Sequence, residues 1–145
     1  MKKWQRYTLI GSVSALSVLF QYTELGINLT KSFPYKYFLI VKDLSFQNGD
    51  LISIKGHHAK YIGDLSLIKR VVGVSGDPIE PLLVNLKKTT KCGKPLNALS
   101  LTVIPDGYVF VNADHKDSYD SRYKEFGLVS VDHIKGRAFI LGGKV

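Results

Sequence analysis

Apolar positions are spread unevenly along the 145 residues, and the first block of them is continuous. After Met1-Lys2-Lys3-Trp4-Gln5-Arg6 the chain runs without charge from Tyr7 to Thr23 and stops at Glu24. That pattern predicts a membrane-directed segment at the short end of what spans a bilayer, diluted by Ser12, Ser14 and Ser17. A cleavable signal would want small residues at alternating positions just after the apolar core, and Leu19-Phe20-Gln21-Tyr22-Thr23-Glu24 offers bulky ones, so a retained transmembrane anchor over residues 7–25 is expected. Lys2, Lys3 and Arg6 place residues 1–6 in the cytoplasm by the positive-inside rule, while Trp4, Tyr7 and Tyr22 suit the two interfaces. Residues 26–145 then form one domain outside the cytoplasm.

Beyond the anchor the apolar period shortens to two, the period of a half-buried strand. Gly26–Pro34 alternates and closes on a proline, which holds Phe33 extended and leaves Ser32 in a short extended or turning segment. Residues 35–42 are rich in aromatic and branched side chains, Asn48-Gly49-Asp50 marks a turn, and residues 51–55 alternate cleanly. A basic pair, Lys69-Arg70, interrupts the apolar run that starts at Leu67 and ends in the Gly73–Pro78 turn. Residues 80–105 are less regular and read as an exposed ribbon carrying Lys87-Lys88 and Lys91-Cys92-Gly93-Lys94-Pro95. Tyr108–Val111 predicts another strand, residues 112–123 are densely polar, and residues 136–141 predict a closing strand. The expected class is mainly β.

Alternation also separates the two cations. Lys69 shares a face with Val71 and Gly73, and Arg70 shares the other with Val72. If Lys69 is the inward one, burial lowers its pKa and makes it a candidate general base; otherwise the pair consists of edge-strand charges that discourage aggregation. The apolar share of 45% supports a core, and the net charge of +8 admits nucleic acid, an anionic membrane or an acidic partner. No zinc-finger spacing or RNA-binding aromatic signature supports nucleic acid. The lone Cys92 excludes an intrachain disulfide framework and reads as a passive loop residue. His57 and His58, as neighbours in an extended chain, point apart and make a poor metal pair. Asp114, Asp117 and Asp120 lack the turn glycine and terminal glutamate of a calcium loop; Asp120 instead suits a guanidinium, that of Arg122 or Arg70. The basic ribbon is a solvated face or, near a bilayer, a site for anionic headgroups. No metal or cofactor is expected.

Three stretches together resemble the Ser-Lys signal peptidases. Lys69-Arg70-Val71-Val72-Gly73-Val74-Ser75-Gly76-Asp77 is similar to that family's Lys-Arg-x-x-Gly-x-Pro-Gly-Asp box. Ser118-Tyr119-Asp120-Ser121-Arg122-Tyr123, followed by Gly136-Arg137-Ala138, resembles its Ser-x-Asp-Ser-Arg-Tyr and Gly-[Arg/Lys]-Ala boxes. Asn28-Leu29-Thr30-Lys31-Ser32-Phe33-Pro34 resembles the Asn-x-Thr-x-Ser-x-Pro of the TraF-type conjugative transfer peptidases more than the Ser-Met-x-Pro of housekeeping enzymes. Three positions depart from the pattern: Ser75 replaces a proline, Asn112-Ala113-Asp114 replaces Gly-Asp-Asn, and Glu125 is inserted before Phe126-Gly127.

The resemblance implies an antiparallel β catalytic domain behind one transmembrane helix, with residues 80–105 as a reduced accessory ribbon. It implies Ser32 as nucleophile, Lys69 as base, the Ser32 N–H and Thr30 hydroxyl as oxyanion donors, and Ser118 as the group that orients Lys69. Asp120, Arg122 and Arg70 would support the site. The implied substrate is a precursor with a leader peptide, foremost a conjugative pilin that some relatives also circularise. The implied setting is the bacterial inner membrane, with the catalytic domain facing the periplasm, in contact with lipid and with conjugative transfer or type IV secretion components and without nucleic acid. The alternatives are a general type I signal peptidase and a non-catalytic assembly component of a pilus or secretion apparatus. The SOS repressor autoproteases share the chemistry but carry a DNA-binding region where this chain has its apolar segment.

Overall fold

A computed structural model describes the chain except Met1, Lys2, Lys31, His57 and the side chains of Arg6 and Leu9. One helix, α1 (Lys3–Tyr22), precedes seven strands: β1 (Thr23–Ile27), β2 (Tyr35–Lys42), β3 (Leu51–Ile54), β4 (Leu67–Gly73), β5 (Tyr108–Asn112), β6 (Val129–Ser130) and β7 (Ile134–Lys144). They form one sheet in the order β1-β2-β7-β3-β4-β5-β6, and every pairing is antiparallel. The mainly β expectation holds. The segment read as a closing strand is β7, the last strand of the chain, and it runs through the interior of the sheet, between β2 and β3. That placement is a long-range pairing, which local periodicity does not encode.

The anchor expectation needs correction on two counts. The helix ends at Tyr22, and residues 23–25, assigned to the anchor, begin β1 and pair with β2 as Thr23↔Val41 and Leu25↔Leu39. Among the described residues, no helix is long and apolar enough to cross a membrane. The cause lies in the interruptions: the hydroxyls of Thr8, Ser12 and Ser17 donate back to carbonyls one turn earlier, which satisfies them without making the helix apolar. Of the charges read as setting orientation, Lys2 and the Arg6 side chain lie outside the described residues.

Both faces of the sheet are packed. On one face Ile52, Ile54, Val71, Val109, Val111, Phe126 and Val129 form a core. On the other, Phe33, Phe38, Ile40, Leu51, Ala113 and Ala138 form a second, while Ile79, Leu99, Ile104 and Phe110 bury the base of the irregular 80–105 stretch. The Gly136-Arg137-Ala138 motif sits where β7 is squeezed between its neighbours. A Cβ on Gly136 would lie 2.2 Å from the Val41 carbonyl oxygen, Arg137 reaches Asp50 at 2.7 Å, and Ala138 is buried. Only glycine allows that approach of two backbones.

Candidate active site

The alternation of β4 is decided by its neighbours. Lys69 stands opposite Ile52, and Arg70 opposite Leu51. Lys69 is 3% exposed and shares its face with buried Val71, so Lys69 is the inward cation. Its Nζ lies 5.7 Å from the centre of the Phe126 ring. It donates to Ser118 Oγ at 2.6 Å and to the Tyr119 carbonyl at 2.8 Å. Burial lowers its pKa from 10.5 to about 8, with Asp120 pulling it back up and Arg122 pushing it down. A neutral amine has two N–H groups and one lone pair. The Tyr119 carbonyl can only accept, and Ser118 accepts the second N–H, so the lone pair is the position left over.

The loop from β1 to β2 carries Ser32, and Asn28 shapes it. The buried Asn28 amide donates to the carbonyls of Phe33 (3.2 Å) and Tyr35 (3.1 Å), and its Oδ1 accepts from the Thr30 N–H and Thr30 hydroxyl, both at 3.0 Å. Thr30 Oγ1 also lies 2.9 Å from Ser32 Oγ. A hydroxyl has one proton, so when Thr30 donates to Asn28 the Ser32 hydroxyl becomes the donor toward Thr30. The loop is fixed from outside as well: the Phe33 ring is buried against Phe38, and His115 N–H donates to the Ser32 carbonyl at 3.3 Å. Ser32 and Lys69 line one cleft of about 80 Å³, walled by Ile27–Thr30 and Leu65–Ile68. Ser32 Oγ bonds to Thr30 and Lys69 Nζ to Ser118 and Tyr119, with no bond between the two groups themselves.

The run from Ser118 to Tyr123 supports the lysine residue by residue. Asp120 and Arg122 form a buried two-pronged pair, Nε to Oδ1 at 2.8 Å and Nη2 to Oδ2 at 2.9 Å. Arg122 goes on to the Ser118 carbonyl at 3.1 Å and the Val84 carbonyl at 3.0 Å. Ser121 Oγ accepts from the Val111 N–H and so stitches the run to β5. Tyr123 Oη accepts from the Lys87 N–H. Of the two guanidinium partners open to Asp120, Arg122 is the one it has. Arg70 lies on the other face, bonded to Asp114 and the Gly49 carbonyl, with its guanidinium 5.8 Å from the Phe33 ring.

The remaining candidates resolve into structural roles. Asp114 pairs with Arg70, Asp117 with Lys87, and Asp120 with Arg122, so each carboxylate read against a calcium loop holds a cation side chain. His57 lies outside the described residues, and among the described residues no cluster of His, Cys, Asp and Glu could hold a metal. Ser75 donates to Asp106, which ties down the turn where the pattern has proline. Glu125 accepts from the Asn97 backbone and amide at 3.0 and 2.6 Å, tethering the ribbon.

The family model for signal peptidases, peptidase S26, matches residues 3–141. The chain belongs to that family. No curated protein matches it. As a signal peptidase of family S26 it is a serine peptidase that acts on leader peptides. Sequence reasoning missed two groups that shape the Ser32 loop and hold the Lys69 amine. Asn28 was visible as a motif position, although its work as a loop clamp was not. The Tyr119 carbonyl has no side-chain signature at all, because any residue supplies one.

Proposed function

We propose that Ser32 and Lys69 form a Ser-Lys dyad that cleaves the leader from an exported precursor, and that the chain is of the TraF-type, with a conjugative pilin as substrate. The observation that carries the dyad is the buried amine of Lys69, with a pKa brought down to about 8, opening on the cleft that also holds Ser32. Substrate enters as an extended segment beside the Ile27–Thr30 and Leu65–Ile68 walls, where main-chain bonds supply affinity. Lys69 takes the Ser32 hydroxyl proton as Oγ attacks the scissile carbonyl. The oxyanion is held by the Ser32 N–H and by the Thr30 hydroxyl, which turns from Asn28 toward the new charge. Lys69 then delivers its proton to the leaving amine, and water, activated by the same amine, releases the acyl group. If an N-terminal amine of the substrate replaces water, the same acyl-enzyme closes a ring.

Two features support the finer parts of this reading. The Asn28-x-Thr30-x-Ser32-x-Pro34 pattern distinguishes the TraF-type, and Asn28 and Thr30 are bonded to each other here. Apolar side chains stand exposed around α1, from Trp4, Tyr7 and Ile10 to Phe20 and Tyr22, and continue onto Leu25, Ile27 and Leu29 beside the cleft. We therefore place the body against the outer face of the cytoplasmic membrane, with α1 docked on lipid. Recovery of the chain in the soluble fraction after gentle lysis at low salt would argue against that placement.

The deciding experiment is co-expression with the pilin precursor of the same transfer system, followed by mass measurement of the pilin. Shortened pilin with the parent chain, lost in Ser32→Ala and Lys69→Ala, is the expected result, and a further loss of one water marks ring closure. Processing that survives both substitutions sinks the dyad. Asn28→Ala should lower kcat/KM by about 10- to 100-fold, because the loop drifts from attack geometry. The folded state should lose about 1–3 kcal/mol, so activity is measured well below the melting temperature of the variant, and the two readouts together separate positioning from stability.

A further inference from the structure

The 80–105 stretch does more than cover the core. Residues 88–96 form a hairpin: Thr89 bridges Pro95, Leu96 N–H donates to the Lys88 carbonyl at 2.9 Å, and Thr90 N–H to the Lys94 carbonyl at 2.8 Å. Its base is fixed by the Lys87 N–H on Tyr123 Oη and its far arm by Tyr61 Oη on the Pro95 carbonyl. Lys94 adds a cation contact, 4.7 Å from the Tyr61 ring. Held in this way, the hairpin stands over Ser118 and Tyr119 and encloses a cavity of about 540 Å³.

Charge in that cavity is one-sided. Lys87, Lys88 and Lys91 line it, and the carboxylate among its lining residues, Asp117, is already paired with Lys87. Lys88 and Lys91 are exposed, and among the described residues neither has an ion-pair partner. Position matters as much as sign. Ser118 and Tyr119, which form the wall, are the two residues that hold the Lys69 amine. The basic cavity and the Ser32 cleft therefore lie on either side of one hydrogen-bonded pair.

We propose that this cavity is a subsite for an acidic stretch of the substrate polypeptide. The inference rests on the peptidase reading above and names a substrate feature it leaves open. A cavity of this size takes a peptide segment, two unpaired ammonium groups attract carboxylates, and the site's place beside Lys69 makes it continuous with the path of a chain threaded through the cleft. A bilayer surface fits less well, because the lysines face a hollow framed by the hairpin.

The test uses the full chain in its Ser32→Ala form and two peptides that share a small-residue cleavage site, one flanked by a run of Asp and the other by Asn. Each carries a neutral fluorophore, and binding is read by anisotropy. The Asp peptide should bind about tenfold tighter at low salt, and the difference should shrink when the Debye length falls to about 3 Å near 1 M salt. Lys88→Glu/Lys91→Glu should erase the preference, while Lys42→Glu/Lys55→Glu, an equal change in charge elsewhere, should keep it. Equal binding of the two peptides overturns the proposal, as does a preference that survives Lys88→Glu/Lys91→Glu. Loss of binding to anionic vesicles alone in that double variant would assign the lysines to lipid headgroups and also overturn it. Turnover of the Asn peptide by the parent chain, and its loss in Ser32→Ala, is followed separately. Absent turnover would count against the Ser-Lys reading while the binding comparison still decides the subsite.

Discussion

Substituting Lys69 by methionine is expected to abolish cleavage, by at least about a thousandfold, and to remove a rise in stability with pH. Methionine keeps most of the apolar stem and removes the amine. Its effect on activity tests the proposed base directly, and its effect on stability follows from the same burial. The amine titrates at about 8 in the folded chain and at 10.5 when unperturbed. Between those values the unfolded state binds the extra proton, so the parent protein gains stability as pH climbs from 8 to 10.5. Below 8 the full penalty stands, about 3 kcal/mol for a shift of this size. Denaturation midpoints of the two proteins at pH 7 and pH 11 isolate this group, because other titrations cancel in the difference. The gap should move in favour of the parent at the higher pH. A gap that does not move would mean that the amine is already solvated. For the parent enzyme, kcat/KM should rise with pH through an inflection near 8.

How much of this site could be read in advance depends on whether the signal was local. Simple alternation put Lys69 on one face with Val71 and Gly73 and Arg70 on the other without saying which face points inward, and the burial of β4 decides for the Lys69 face. The loop of Ser32 was legible as a short extended or turning segment because Pro34 restricts Phe33, and Ser32 itself lies in a turn. By contrast, the end of α1 was hidden. The uncharged run continues from the helix into β1 without a glycine or proline to mark the change, and pairing of Thr23 and Leu25 with β2 is what ends the helix. The choice of Arg122 over Arg70 for Asp120 was likewise open in one dimension. The two arginines lie on opposite faces, and which face Asp120 meets depends on how the loop after β5 returns, a path set by Ser121 bonding back to Val111. The interior position of β7 had no local signature, since a strand paired on both sides and a strand at an edge have the same alternation.

The Asp120–Arg122 pair yields the second large effect, and its two halves should act in opposite directions on the Lys69 amine. Both side chains are buried, and their two-pronged contact lets neither charge dominate at Lys69: Asp120 raises the lysine pKa and Arg122 lowers it, both less than burial does. Asp120→Ala strands a guanidinium away from water and should cost about 3–5 kcal/mol of stability. It also removes the influence that raises the Lys69 pKa, so the activity remaining at low temperature should show its inflection shifted to lower pH. Arg122→Met strands the carboxylate instead, with a stability loss of similar size, and should shift the inflection to higher pH, lowering activity at neutrality. Removing both together as Asp120→Leu/Arg122→Met should recover much of the lost stability, because a buried ion pair is close to neutral against an apolar replacement. The double variant would keep the amine buried with neither charge nearby. Its inflection should therefore lie between those of the two single variants. Inflections that move the same way in both single variants would show that the pair acts on Lys69 through loop geometry, with its charges irrelevant to the base.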